Sequence, residues 1–368
     1  MQKASPLQPT PISDALSTLQ RDGVVRIDGR SIDPSICSDL RRRILKELDS
    51  ADSAWETSSS SSSSSSEQDT SYIPGTRLRF KEPIDISFGG NARHDLLLPL
   101  TNSNWPELQH VLHSAICQLQ PFLLDAVDQL LPCLHGSTTI SNRSTDPSSV
   151  EVVELASLVV RPGSNHQKFH GDYRRFSPLT GKDDANSRTL QEPLEHTQSR
   201  MGKLPPRLVT FVALQDIPSK AHGATGFVTG THNAEAHKLV YDGQGIDAKD
   251  VSDRKAIDAA TAARQSILDI STANAQGVVT ASGFRCGDIL VYDASVLHWG
   301  GPNSVPNNNR ALLYFGVARS GAASILSSQE HDEQMSKMGF KIAPPILIQD
   351  VVSTVAFAES TRHFAPVR

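Results

Sequence analysis

His170, Gly171 and Asp172 place an imidazole and a carboxylate two residues apart. In an extended segment positions i and i+2 share a face, so both groups can converge on one metal ion without backbone strain. A second histidine would complete a 2-His-1-carboxylate set with three open coordination positions, which suits Fe(II) that must also bind a co-substrate and O2. The tripeptide alone is weak. The chain holds 13 histidines, among which about one chance His-x-Asp is expected, and a surface His and Asp near a turn is the competing reading.

Two later segments add weight. After Cys286-Gly287-Asp288, a turn opens the apolar run Ile289-Leu290-Val291-Tyr292, and the segment ends at His298-Trp299-Gly300-Gly301. Glycines beside a ligand let the backbone approach a metal closely; a core-edge histidine satisfied by the backbone is the alternative. Arg310 directly precedes the apolar run Ala311–Val317. Its charge needs compensation there, which a dicarboxylate would give by bidentate pairing and a strand-end salt bridge would give more simply.

Softer candidates surround these. Gln167 is placed to bond a co-substrate or a ligand, or to stabilise a turn. Thr225 lies near the strand that would face the co-substrate. Trp299 is a candidate pocket wall or a packing residue, and Arg174 and Arg175 are candidates for an anionic substrate or exposed charges. His166 and His170 have the spacing of a helical zinc pair, but Gln167 stands where that motif has its Glu base. His222, His232 and His237 fall in loop-like sequence and are expected at the surface. Ser295 lies outside any G-x-S-x-G context, and no glycine-rich phosphate loop follows a strand.

The elements that must carry these residues fall into two halves. Residues 12–22 read as a helix broken at Asp22-Gly23, followed by a strand from Val24 to Ile27. Asp33 is a predicted N-cap with Pro34 at the first helical position, and Ile36, Leu40, Ile44 and Leu48 form one buried stripe. The serine run Ser58–Ser66 cannot bury apolar surface, so residues 51–72 are expected to be a disordered insertion. Residues 104–132 read as a helix with Val111, Ile116, Leu119, Leu123 and Leu130 inward. From Val150 the character turns to β, with strands over 150–160, 207–214, 226–228, 289–292 and 311–317. Insertions at 177–206 and 233–280 interrupt them as lid or pocket segments, the second with a helix at 250–270. Helices first and then a mainly antiparallel body give a mainly β fold with flanking helices, an α+β arrangement built on a barrel or jelly roll.

Composition narrows the classes. With 368 residues, 38% hydrophobic and 20% charged, the chain can form one large domain over 1–368. Net charge is −5 and no basic stripe appears, which argues against a nucleic-acid partner; Arg41-Arg42-Arg43 is read as a solvated helix face. Cys37, Cys117, Cys133 and Cys286 are far apart, so reduced thiols in the cytoplasm or another reducing intracellular compartment are expected. No apolar stretch is long enough to span a bilayer, and oligomeric state is left open.

Taken together, His-x-Asp, a distant Gly-Asp strand ending in His298, and Arg310 on the next strand resemble the Fe(II)/2-oxoglutarate-dependent dioxygenases, in the phytanoyl-CoA dioxygenase-like branch. Leu19-Gln20-Arg21-Asp22-Gly23-Val24-Val25 is similar to that branch's opening, and Arg161-Pro162-Gly163-Ser164 with Gln167 to its lead-in to the iron motif. Ala213-Leu214-Gln215-Asp216 with Gly223 and Gly226–His232 resembles its L-x-D…P-G-S-H segment, although Thr229 and Thr231 stand where Pro and Ser are usual. The resemblance implies a double-stranded β-helix (jelly-roll, cupin-like) core with N-terminal helices. It further implies Fe(II) on His170, Asp172 and His298, and 2-oxoglutarate chelating the iron with its far carboxylate on Arg310. Co-substrate and O2 would become succinate and CO2 while a small metabolite is hydroxylated, desaturated or ring-closed. Related halogenases have a small residue at the position of Asp172, so a carboxylate there points to oxygenation. A catalytically silent jelly-roll ligand-binding protein, or a zinc hydrolase on the same ligands, are the readings from other classes.

Overall fold

The structure is a computed structural model that describes residues 4–60, 77–81, 93–98, 105–131, 149–167, 170–172, 207–241, 262, 265–269, 276–320 and 346–352. In chain order the first elements are β1 (Ser5–Pro6), β2 (Pro9–Thr10), α1 (Ile12–Asp22), β3 (Val24–Ser31), α2 (Pro34–Ser60), β4 (Arg77–Lys81), β5 (Arg93–Leu97) and α3 (Pro106–Leu130). They are followed by β6 (Val150–Val160), β7 (Leu208–Ala213), β8 (Thr225–Val228), α4 (Ala234–Tyr241), β9 (Val278–Thr280), β10 (Asp288–Asp293), β11 (His298–Gly300), β12 (Arg310–Arg319) and β13 (Ile346–Leu347).

Local chemistry explains the helix ends. Gly23 closes α1 in the left-handed region at φ 75°, its N–H donating to Leu19 O, a conformation glycine adopts without a Cβ penalty. Asp33 Oδ1 accepts the Ser35 N–H at 2.8 Å, capping α2 just before Pro34. Leu40, Ile44 and Leu48 are buried on the inner face of α2, with Ile36 packed against the same cluster. The helix runs on to Ser60, past Leu48, because Ser50–Glu56 contains no Gly or Pro to stop it. The first ten residues of the segment read as a disordered insertion are therefore helical, and 61–76 lie outside the described residues. In the arginine run only Arg42 matches the solvated reading, paired with Asp39 at the surface. Arg41 bonds Gln215 Oε1 and Asn309 O, and Arg43 lies 4.7 Å over the Trp105 ring.

Two sheets form the body. One is nine-stranded, ordered β2-β3-β10-β7-β12-β6-β5-β4 with β13 also on β6; the other is four-stranded, ordered β1-β9-β8-β11. Pairing is antiparallel apart from β1 with β9 and β2 with β3. Alternation along each strand sorts side chains between two cores. Ile289, Val291, Leu313, Phe315 and Val317 pack toward α1, α2 and α3. Leu290, Tyr292, Leu312, Tyr314, Val209 and Phe211 turn the other way and meet Phe227, Val279 and Ala281 of the small sheet. The chain is thus mainly β with flanking helices around a jelly-roll core.

The strands expected from 150 onward are all present, with ends shifted by one or two residues. The helix expected at 250–270 is described at 262 and 265–269, where it is helical. Helix α4 falls in sequence read as a loop. Cys37, Cys117 and Cys286 are free thiols, and no helix among the described residues is long and apolar enough to cross a membrane.

Candidate metal centre

The centre is built at the edge of the small sheet. His298 opens β11 and pairs with Phe227 of β8, so its ring points to the interior shared with the large sheet. On the free edge of β11 the segment ending at His170 runs antiparallel. Gly163 N–H donates to Asn303 O at 2.7 Å and Gln167 N–H to Gly300 O at 2.9 Å. His170 and His298 then exchange both backbone hydrogen bonds, at 3.0 and 2.8 Å. Residues opposed in that way carry their side chains to the same face. The two rings accordingly sit with centroids 4.4 Å apart. Two residues on, Asp172 returns to the same face. One ligand atom from each of His170, Asp172 and His298 lies within 4.8 Å of the others. The three residues singled out by sequence are brought together.

Protonation is arranged for a cation. The Nδ1 of His298 lies 2.9 Å from Val296 O; a carbonyl only accepts, so Nδ1 carries the proton and Nε2 keeps its lone pair. That Nε2 lies 3.6 Å from Asp172 Oδ1. Burial, opposed by Asp172, pushes the His298 imidazole down to about 4. Burial would raise the Asp172 carboxyl, but His298, Arg207, His170 and the Tyr292 hydroxyl outweigh it and hold the group below its usual range. At neutral pH the set is a carboxylate with a neutral His298 imidazole. Two imidazoles and one carboxylate of this geometry are compatible with an iron site.

Tyr292 was not anticipated. Its hydroxyl donates to Asp172 Oδ2 at 3.0 Å. Burial, with Asp172 nearby, pushes the phenol well above its ordinary value, so it stays a donor. Alternation along β10 could have assigned it to the inner face, but nothing in the sequence said which ligand it would meet. The buried pair Arg207 and Glu154, Nε to Oε2 3.1 Å, also lies close enough for Arg207 to influence Asp172 and His298.

The same interior holds a second feature. Arg310 and Arg93 each oppose Val160 across the two edges of β6, so both lie on one face of the large sheet, with Tyr314 and Asp95 further along it. Arg93 donates to the carbonyls of Asn165, Gly300 and Gly301 and fastens the end of β11. Arg310 is 0% exposed, and none of Nε, Nη1 or Nη2 has a hydrogen-bond partner. No carboxylate pairs with it among the described residues. Burial, with Arg93 adding repulsion, pushes its guanidinium down to about 9. Thr225, paired with Gly300 on the small sheet, points its buried hydroxyl into the same interior, also without a partner. Gly223 comes close to Arg310; a Cβ there would lie 3.4 Å from Nε.

The softer candidates divide. Gln167 Oε1 accepts the Gly300 N–H at 2.8 Å, so its carbonyl fixes β11. Trp299, next to His298 in the strand, faces the opposite side; it packs with Val228, Ala236, Ile267 and Leu297 and stacks on His166. Strand alternation forbids it from lining the interior alongside His298. Arg174 and Arg175 lie outside the described residues. Of the histidines expected at the surface, His237 is buried at 2% exposure in α4 and meets Ser295 O, because α4 folds onto the outer face of the small sheet. His232 reaches Gln20 O, and the Ser295 hydroxyl bonds Asp293 in a turn.

No family model matches the chain, and no curated protein matches it in sequence. Among solved structures it is similar to AviO1 from Streptomyces viridochromogenes Tue57, at 16% identity over 86% of this chain and 98% of that one, TM-score 0.44. It is similar to the non-heme alpha ketoglutarate dependent epimerase SnoN from nogalamycin biosynthesis, at 15% identity over 83% and 82%, TM-score 0.41. It is also similar to HygX from Streptomyces hygroscopicus with nickel, 2-oxoglutarate and hygromycin B bound, at 16% identity over 83% and 87%, TM-score 0.39. Likenesses of that size leave the fold resting on the strand pairing described above.

Proposed function

We propose that this chain is a non-haem Fe(II)- and 2-oxoglutarate-dependent oxygenase of a small molecule, with His170, Asp172 and His298 holding the metal. The observation that carries the reading is Arg310. A guanidinium stays charged in proteins, and an unpaired buried charge is costly enough that it calls for an anion. Placed in the same interior as three convergent metal ligands, and joined by the Thr225 hydroxyl, it fits the far carboxylate of a dicarboxylic acid whose other end reaches the metal. When bound, the iron and 2-oxoglutarate supply the oxidising chemistry, consuming O2 and yielding succinate and CO2.

The chain's own residues bind and orient. Arg310 offers the planar fork that pairs with a carboxylate through two hydrogen bonds, and Thr225 offers one more. Tyr292 holds the Asp172 carboxylate, and Val296 O fixes the His298 tautomer. Arg93 and Gln167 hold Gly300 and Gly301 and thereby the strand that presents His298. The interior between the sheets, lined by Phe211, Phe227 and Tyr314, excludes bulk water. A carboxylate at position 172 fills the ligand place, which supports oxygenation rather than halide transfer. The substrate radical's fate, hydroxylation, desaturation or ring closure, is a matter of substrate pose.

Anaerobic addition of Fe(II) and 2-oxoglutarate to the metal-free protein is expected to produce a weak visible charge-transfer band. Admission of O2 is expected to form succinate. His170→Ala and Asp172→Ala should lose both signals; retention of succinate formation in either would reject the assignment. Metal bound without any turnover of 2-oxoglutarate across a broad metabolite panel would instead indicate a silent binding protein.

A further inference from the structure

We propose that Tyr292 is a positioning residue that confines Asp172 to a one-oxygen contact with the metal, an inference that rests on the metal-centre reading above. The Tyr292 hydroxyl donates to Oδ2 at 3.0 Å, while Oδ1 is the oxygen turned to His298 Nε2, 3.6 Å away. The two carboxylate oxygens therefore have different tasks before any cation arrives. A hydrogen bond from a neutral donor to an ionised acceptor is among the stronger kinds.

The phenol cannot retreat. Its backbone lies inside the large sheet, with Tyr292 paired to Val24 of β3 on one side and Val209 of β7 on the other. Its ring is wedged among Phe211, Phe227 and His298, with centroids 5.1, 5.3 and 5.3 Å away. One rigid side chain thus touches the ring of one ligand and the carboxylate of another.

The consequence lies in counting positions. A six-coordinate metal held by three protein donors would keep three places for other ligands. If Asp172 bound through both oxygens, only two places would remain. Tyr292 occupies the second oxygen and keeps the third place open. Groups that hydrogen-bond a metal's ligands commonly change affinity or activity by about 10–100-fold when removed.

The test is Tyr292→Phe, which keeps the ring and removes the hydroxyl. Mn(II) binding to the metal-free protein, read from the electron paramagnetic resonance of free Mn(II), is expected to weaken by about 10–100-fold. Iron K-edge X-ray absorption of the Fe(II) form is expected to gain the short metal–carbon feature of a two-oxygen carboxylate. In an Asp172→Ala background the hydroxyl has nothing to hold, so adding Tyr292→Phe should leave Mn(II) affinity unchanged. Wild-type affinity in Tyr292→Phe overturns the proposal, as does a retained one-oxygen carboxylate or an equal loss without Asp172. Wild-type protein that takes up no Mn(II) removes the metal centre itself, an outcome distinct from each of these.

Discussion

Replacing Arg310 with Met should make the ligand-free protein more stable and its co-substrate binding much worse. Burial and Arg93 move the Arg310 guanidinium from 12.5 to about 9, on the order of 4–5 kcal/mol of unmet charge at about 1.4 kcal/mol per unit. Met has a similar reach without the charge. Exchanging buried ionic groups for packed apolar ones often stabilises by about 1–4 kcal/mol, so a rise of about 1–3 kcal/mol, visible as a few degrees in the melting temperature, is expected. Two charge-assisted hydrogen bonds to a carboxylate contribute about 3–6 kcal/mol together, so 2-oxoglutarate affinity should fall by roughly two to four powers of ten. Thermal unfolding of the metal-free protein reads the first effect, and anaerobic titration of the Fe(II) form reads the second. The opposite signs are the point. An arginine serving only the fold would show a lower melting temperature and unchanged 2-oxoglutarate binding in Arg310→Met, and that pattern would refute the reasoning.

The unfolded value of His298 is 6.5 and the folded value about 4, so between those pH values the unfolded chain binds the extra proton. Metal-free protein should lose up to about 3 kcal/mol as pH falls across that window, with Asp172, held low, adding a further loss below about pH 4; urea midpoints against pH check this, and a flat profile contradicts it. Glu154→Ala leaves Arg207 buried without its ion-pair partner and should cost about 3–5 kcal/mol by urea denaturation, whereas Glu154→Leu with Arg207→Met should come close to neutral. In Gly226→Ala, the new Cβ would lie 2.1 Å from Trp299 Cζ2, so a loss of about 1–3 kcal/mol is expected; Trp299→Leu in the same chain should recover part of it, and an additive second loss would show that the clash is not the cause.

How much was legible depended on whether a partner was local. His170 and Asp172 declare themselves because their i, i+2 spacing lets an extended segment bring them to one face, His298 because it follows an apolar run and Arg310 because it opens one. The caps at Gly23 and Asp33 follow from single residues. Tyr292 and Arg93 were missed for the opposite reason. Their partners, Asp172 and the carbonyls of Gly300 and Gly301, are more than a hundred residues away, and only the pairing order of the sheets brings them within reach. Of the two roles open to Trp299, the packed one is seen, because adjacency in sequence means opposition across a strand. His237 was misread because eight residues of α4 carry too little periodicity to distinguish a short helix from a loop. The tail of α2 outran its apolar stripe, since a helix continues where nothing stops it.

The backbone bridge between His170 and His298 has a bearing on how this scaffold can change. Because the two residues are fastened to each other directly, their separation does not depend on how long the loops between them are. Lengthening such a stretch raises the entropy of closing it only logarithmically, by about 0.6 kcal/mol per doubling. The segments between Asp172 and β7 and between α4 and β9 can therefore grow at little thermodynamic cost to the geometry of His170 and His298. A pair clasped in that way is a fixed part that tolerates change in the length of the chain around it.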